Sequence, residues 1–448
     1  MTATVEIPTW AFVLLCGFAA VTFASHFLFP SVRWVLRREA ERMVARLNAR
    51  LARPIEPFKL ARRSDTIARL VHDPEVARAV VEHARAARIP EAVAHELATR
   101  YAREIVPSFS AILYFAVAAR LARWASTALY RVRVTGRGAA FAGIDPGATV
   151  VFVMNHRSNM DYVLVTWLTA ERTSLSYAVG EWARRWPLGP LIRSTGGFFV
   201  RRRDLNPLYR RVLARYVQIA TAAGVTQAVF PEGRLSRTGA LQPPKLGILS
   251  YILDGHDPAT DPDVVFVPVA IAYERVLEDG RLTAPEGTPG RFRLTAPQVA
   301  RYVAQHLRLR LTGRFDGFGR AAVAFGAPLA LSRHRAEAHA DPAEALGAAL
   351  MARIAAALPV LPLPVVARAL ADGLGDPAAI ADRLATHRQA LQAAGAGTPF
   401  DAVALAEEAL RVLALRGLVA RGEGGWAPTP AGDVLLAYYA RSLPAAAR

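Results

Sequence analysis

The sequence holds one cysteine, Cys16, in 448 residues. That excludes an intramolecular disulfide, and no cysteine and histidine cluster stands at zinc-ligand spacing, so the chain fits a reducing compartment. Acidic side chains are scarce: 37 Asp and Glu face 55 Lys and Arg, a formal net charge of +18. A field of that sign favours an anionic partner, and nucleic acid, an anionic bilayer, an acidic carrier protein or a phosphorylated substrate would each satisfy it. No G-x-S-x-G turn occurs, so a hydroxyl activated by this chain belongs to its substrate and not to a serine nucleophile of its own. Charge is absent altogether from "WAFVLLCGFAAVTFASHFLF", Trp10 to Phe29, an apolar stretch of roughly one bilayer span. It lacks the basic start of a cleaved leader and is long for one. Glu6 is the only charge before it, while Arg33, Arg37 and Arg38 follow. The positive-inside bias therefore places the remainder on the cytoplasmic side of an anchor over residues 1–30.

What is present fills more than one core, since the chain is long and 53% hydrophobic. Residues 31–106 are rich in Ala and Arg, with helix starts at "SDTIARL" and "DPEVARAVVEHARAARIP", and predict a small helical domain. The segment 107–130, "SFSAILYFAVAARLARWASTALY" from Ser108 on, carries a long apolar surface broken by Arg120 and Arg123. Two readings fit it: a helix in the headgroup layer whose arginines snorkel to lipid phosphates, or a helix packed on the next domain. From Arg131 the texture changes to short apolar runs, "RVRVT", "TVVFVM", "LSYAV", "GFFV", "TQAVF", "VVFVPVAIAY" and "AAVAFG". Runs without alternation read as strands buried on both faces, hence an α/β domain over 131–375 with a mostly parallel sheet flanked by helices. Residues 376–448 return to helices around a short ribbon and read as a winged-helix-like cap. Such a wing could contact a DNA groove, but its apolar faces read as packed, and no nucleic acid partner is expected.

Polar loops after buried strands are where ligands sit in open α/β sheets. The first follows "TVVFVM" and reads "NHRSNMDYV", Asn155 to Val163. A helix starting near Ser158, capped by Ser158 or Asn159, would let His156 meet Asp161. An aspartate holding one imidazole nitrogen sets the tautomer and frees the other to take a proton from a hydroxyl. Two further loops, "GGFFVRR" (Gly196 to Arg202) and "FPEGRLSRTG" (Phe230 to Gly239), present arginines, hydroxyls and a glycine turn that suit a phosphate.

Together with "VPVAIAYERV" (Val267 to Val276), these blocks in this order resemble the glycerolipid acyltransferase superfamily. Within it the chain is most similar to bacterial membrane-associated glycerol-3-phosphate acyltransferases, through "HRSNMDY", "GGFFVRR", "SRTG" followed by "PPKLG", "AFGAPL" and "LLAYYARSL". The resemblance implies His156 as general base and Asp161 as its orienting partner. It assigns the acceptor phosphate to Arg201, Arg202, Glu232, Gly233, Ser236 and Arg237, and links Pro268 to the acyl donor. It implies transfer of a fatty acyl group from acyl-CoA or acyl carrier protein to the sn-1 hydroxyl of glycerol 3-phosphate, with no metal or cofactor. The expected location is the bacterial inner membrane, catalytic domain on the cytoplasmic side. Lysophosphatidate is the alternative acceptor, and a non-catalytic lipid-binding protein the alternative role. One departure stands out: the family pattern E-G-x-R-S has Leu235 at its arginine. Either Arg234 takes that place after a one-residue adjustment of the loop, or Arg202 and Arg237 carry the phosphate.

Overall fold

The computed structural model describes residues 8–23, 29–184, 188–201, 205–285 and 317–448, in two compact units, Met1–Ile55 and Glu56–Arg448. The first unit contains the helices Thr9–Phe23 and Phe29–Asn48. The uncharged N-terminal stretch thus gives a 15-residue helix, with residues 24–28 outside those described. Among the described residues no single helix is long and apolar enough to cross a membrane.

The second unit is built on a mixed, mostly parallel sheet. Its strands are β1 (Arg131–Thr135), β2 (Thr149–Met154), β3 (Ser176–Gly180), β4 (Gly197–Val200), β5 (Gln227–Val229), β6 (Val264–Tyr273), β7 (Arg320–Phe325) and β8 (Leu329–Ala330). The order is β1-β7-β6-β2-β5-β3-β4, with β8 on β6. All neighbours from β6 to β4 run parallel, β1 and β7 pair parallel, and β7 and β8 run antiparallel to β6. The seven apolar runs of the sequence are the first seven strands. β2 shows why they lack alternation: Val150, Phe152 and Met154 point into one core, and Val151 and Val153 into the other. With both faces dry, polar residues at either phase would lose hydration without recompense.

The first face is covered by the helix Met160–Thr169 and by C-terminal helices. The second is covered by the helices Pro207–Ala222 and Pro342–Ala357 and by Pro74–Ala87 and Glu91–Ile105. The apolar helices Pro342–Ala357 and Pro362–Ala371 meet at 94°. They bury Leu346, Leu350 and Ile354 in one core and Val365, Val366 and Leu370 in the other. The helical segment expected over 31–106 divides at Ile55, and its helices beyond that point share a core with β2. Asp73 ties them in place: it accepts the Glu75 amide at the start of its helix and the Arg215 guanidinium at 2.9 and 2.7 Å from the helix beneath.

The helical segment that precedes β1 makes a wide π turn over Leu113–Ala118 and continues as an α-helix, Ala119–Leu129. One face buries Tyr114, Ala122 and Ser126, while Ile112, Val117, Leu121 and Trp124 stay exposed on the other beside Arg120 and Arg123. At the C-terminus the helix Ala402–Leu415, an antiparallel ribbon of Val419–Gly422 and Gly425–Pro428, and the helix Asp433–Arg441 follow in order.

Candidate active site

Parallel pairing brings the C-terminal ends of β2, β3, β4, β5 and β6 to one edge of the sheet, and the polar loops gather there. β2 stops at Met154 because the next residue replaces a strand pairing with a side chain. The Asn155 amide donates to the Ile271 carbonyl at 2.9 Å and accepts the Ile271 amide at 2.7 Å. β6 thus stays satisfied while the chain leaves the sheet.

His156 follows, 3% exposed, and its Nδ1 lies 2.9 Å from Asp161 Oδ2. The same oxygen accepts the backbone amides of Arg157 (2.7 Å) and Ser158 (3.0 Å), and Oδ1 accepts the Tyr273 hydroxyl at 2.7 Å. Burial, with Asp161 beside it, pushes the Tyr273 phenol well above its ordinary value, so it remains a donor. Four donors on one fully buried carboxylate leave Asp161 a single orientation. The helix Met160–Thr169 starts at Asn159, whose side chain makes no cap; Ser158 Oγ accepts the Met160 amide instead, at 3.1 Å. The Asn159 side chain and amide, together with the Ser158 hydroxyl, donate to Glu278 in the loop after β6. With Nδ1 facing Asp161, Nε2 is the imidazole nitrogen left for chemistry, and it makes no hydrogen bond among the described residues.

His156 lines a cavity of about 430 Å³ together with Arg201, Gly233, Arg234 and Lys245, and with an apolar wall that includes Val200, Leu205, Phe230 and Ile248. The ring packs 4.2 Å from that of Phe230. Arg201 reaches this wall but is already engaged: Nε and Nη2 bind both oxygens of buried Glu104 at 2.9 and 2.7 Å, and the guanidinium sits over Tyr101 and Tyr209. Arg234 and Lys245 are exposed, and their side chains make no hydrogen bond or ion pair among the described residues. Gly233, at φ +68°, lets the loop pass beneath the lysine stem, since a Cβ there would lie 2.9 Å from Lys245 Cδ.

Of the other residues implied by the motifs, Glu232, Ser236, Arg237 and Pro268 do not line this cavity. Glu232, 2% exposed, accepts the His156 amide at 3.0 Å and the Gln242 amide at 3.1 Å. Ser236 is buried behind the loop: its hydroxyl donates to the Ala240 carbonyl at 2.7 Å, and its amide to the His156 carbonyl at 3.0 Å. Both brace the base. Arg237 points the other way, its guanidinium donating to the carbonyls of Leu282 (3.3 Å) and Ala284 (2.6 Å). Pro268 is buried within β6, paired with Val153. Arg202 lies outside the described residues. At the departure, Arg234 lines this cavity and also, with Leu235 and Arg237, the space on the other side of the loop.

Sequence reasoning missed Tyr273, Glu278 and Lys245. Glu278 had no signal, being brought in from 120 residues away, whereas Tyr273, 112 residues from Asp161, stands in the quoted block "VPVAIAYERV". Lys245 had one: it is one of only two lysines in this arginine-rich chain, and it stands in a quoted motif.

Residues 131–272, from β1 into β6, match the Acyltransferase family model. A glycerol-3-phosphate acyltransferase of Pseudomonas entomophila (strain L48) is 34% identical over 224 residues, covering 49% of this chain and 27% of that protein. One of Aeromonas hydrophila is 31% identical over 280 residues, covering 62% of this chain and 34% of that protein. The match therefore spans about a third or less of these relatives' length. Among solved structures, the 1-acyl-sn-glycerophosphate (LPA) acyltransferase of Thermotoga maritima is similar over 54% of this chain and 76% of that one. At 18% identity and a TM-score of 0.35 the likeness is too loose to argue from.

Proposed function

We propose that this chain transfers a fatty acyl group from a thioester to the sn-1 hydroxyl of glycerol 3-phosphate. The observation that supports it most is an aspartate-held His156 whose Nε2 is left free in a cavity shared with two unpaired cations, Arg234 and Lys245. Nε2 takes the hydroxyl proton as the oxygen attacks the thioester carbonyl. The C–S bond breaks, and the thiolate of coenzyme A or acyl carrier protein leaves and receives that proton from the imidazolium. The reading includes no acyl-enzyme, metal or further cofactor. Arg234 and Lys245 hold the acceptor phosphate, a compact charge that supplies most of the grip on so small a molecule.

Membranes containing the protein, given acyl-CoA or acyl carrier protein with labelled glycerol 3-phosphate or lysophosphatidate, test the acceptor. Arg234→Ala and Lys245→Ala should each raise the KM for glycerol 3-phosphate by about tenfold or more, the loss of a charge-assisted contact of roughly 1.5–3 kcal/mol. Arg237→Ala should change it by no more than about twofold. Lysophosphatidate remains the second reading because the cavity wall is largely apolar. Burying its acyl chain at roughly 0.8 kcal/mol per methylene would offset a lost phosphate contact. Turnover of lysophosphatidate alone, with glycerol 3-phosphate inert, would promote that reading.

The proposal extends to the setting: an anchor over residues 1–30, the bacterial inner membrane, the catalytic domain on its cytoplasmic side, and a winged-helix-like C-terminal cap. The exposed Ile112, Val117, Leu121 and Trp124 with flanking Arg120 and Arg123 support contact with a headgroup layer. Deleting residues 1–30 should release only part of the protein from membranes at low salt. Complete release would return that face to an ordinary solvated helix.

A further inference from the structure

A second recess, of about 320 Å³, lies on the far side of the loop that carries Arg234, between that loop and the C-terminal helix Asp433–Arg441. It is lined by Arg234, Arg237, Thr238, Gln242, Tyr438 and Arg441 among others, and no carboxylate is among its described lining residues. Arg441 is exposed and makes no side-chain hydrogen bond or ion pair among the described residues. Tyr438 is 2% exposed and its hydroxyl has no hydrogen-bond partner among the described residues. Arg157 is 3% exposed, with neither Nη1 nor Nη2 bonded among the described residues. That guanidinium is coupled electrostatically to Tyr438, Glu232, Asp161 and Arg448. The loop abuts the helix closely: at Gly239, φ +82°, a Cβ would fall 1.9 Å from the Tyr438 carbonyl oxygen. The recess is therefore built by apposition of the loop and the C-terminal helix.

Buried polar groups left unpaired beside a basic recess are what an anion would satisfy. Resting on the acyltransferase reading, we propose that this recess binds the phosphate of the acyl donor's pantetheine arm. It would be a second phosphate subsite, separated by one loop from the subsite that holds the acceptor. Two arguments favour the donor. The acceptor phosphate has its own cations, Arg234 and Lys245, in the cavity with His156. Both thioester carriers, coenzyme A and acyl carrier protein, present a pantetheine phosphate, so one site of this chemistry serves either. Arg234 lines both spaces and links them. The C-terminal helix thereby gains a function, supplying Arg441 and Tyr438 to the donor.

The test uses the full chain in detergent and measures binding of 4′-phosphopantetheine and of pantetheine, which lacks the phosphate, without requiring turnover. Phosphopantetheine should bind at least about tenfold more tightly, and Arg441→Ala and Tyr438→Phe should each weaken it by several-fold to about tenfold at unchanged melting temperature. In turnover the same variants should raise the KM for the acyl donor and leave that for glycerol 3-phosphate as it was. Equal binding of the two probes would overturn the assignment. So would a rise in the acceptor KM alone, or binding only to vesicles of anionic phospholipid, which would make the recess a headgroup site. Arg441-dependent binding of phosphopantetheine without acylation of glycerol 3-phosphate would sustain the recess while removing the proposed acceptor.

Discussion

On the proposed mechanism His156→Ala should abolish acyl transfer, lowering kcat by about 10²- to 10⁴-fold or more, because His156 carries the only imidazole among the described residues lining the cavity. The fold should survive, since the ring stands at the cavity edge beside Phe230 and Tyr162 and makes one side-chain hydrogen bond. Asp161→Asn should be nearly as damaging for a different reason. Its two oxygens accept from His156 Nδ1, two backbone amides and the Tyr273 hydroxyl, so an amide NH₂ on either side meets a donor. The ring then loses the partner that sets its tautomer. Turnover measured beside circular dichroism distinguishes loss of the base from loss of the fold. Near-normal kcat in either variant would reduce the pair to a structural contact.

Glu232→Ala should lower kcat by about 10²-fold while moving the acceptor KM little, the reverse of what a phosphate-binding residue would do. Its carboxylate, buried and absent from the cavity wall, is spent on the amides of His156 and Gln242. Burial raises the Glu232 pKa, an effect opposed by those two amides and by the Arg157 charge. Removing the carboxylate leaves two buried donors unpaired, at roughly 1–3 kcal/mol each. The stretch that carries the base is then free to shift, and a misplacement of about 1 Å is costly to catalysis. Glu232→Gln keeps one accepting oxygen and should fall between the variant and the natural protein. A large rise in acceptor KM with kcat intact would instead return Glu232 to the phosphate.

Two kinds of residue separate what was legible from what was not. The strands were readable because a strand buried on both faces must be apolar at every position, and β2 and β6 obey that constraint locally. The dyad was readable because His156 and Asp161 are five residues apart, close enough for one turn to bring them together. The partners of the arginines were not legible, because a guanidinium serves whichever acceptor faces it. Arg201 is taken by Glu104, 97 residues away, and Arg237 by carbonyls of a different loop.

By itself, then, the sequence determined an α/β sheet with seven strands in their places and the proposed base beside its aspartate at the end of one of them. Those features depend on side-chain periodicity and near neighbours along the chain. Only the tertiary structure decided which groups surround that base. Tyr273 and Glu278 reach the catalytic loop across 112 and 120 residues, Lys245 enters the cavity over Gly233, and the C-terminal helix closes a second basic recess behind the loop. The physical reason is that a charged side chain has no local period to betray its direction, and its partner is chosen by the strand order that sets which loops share an edge.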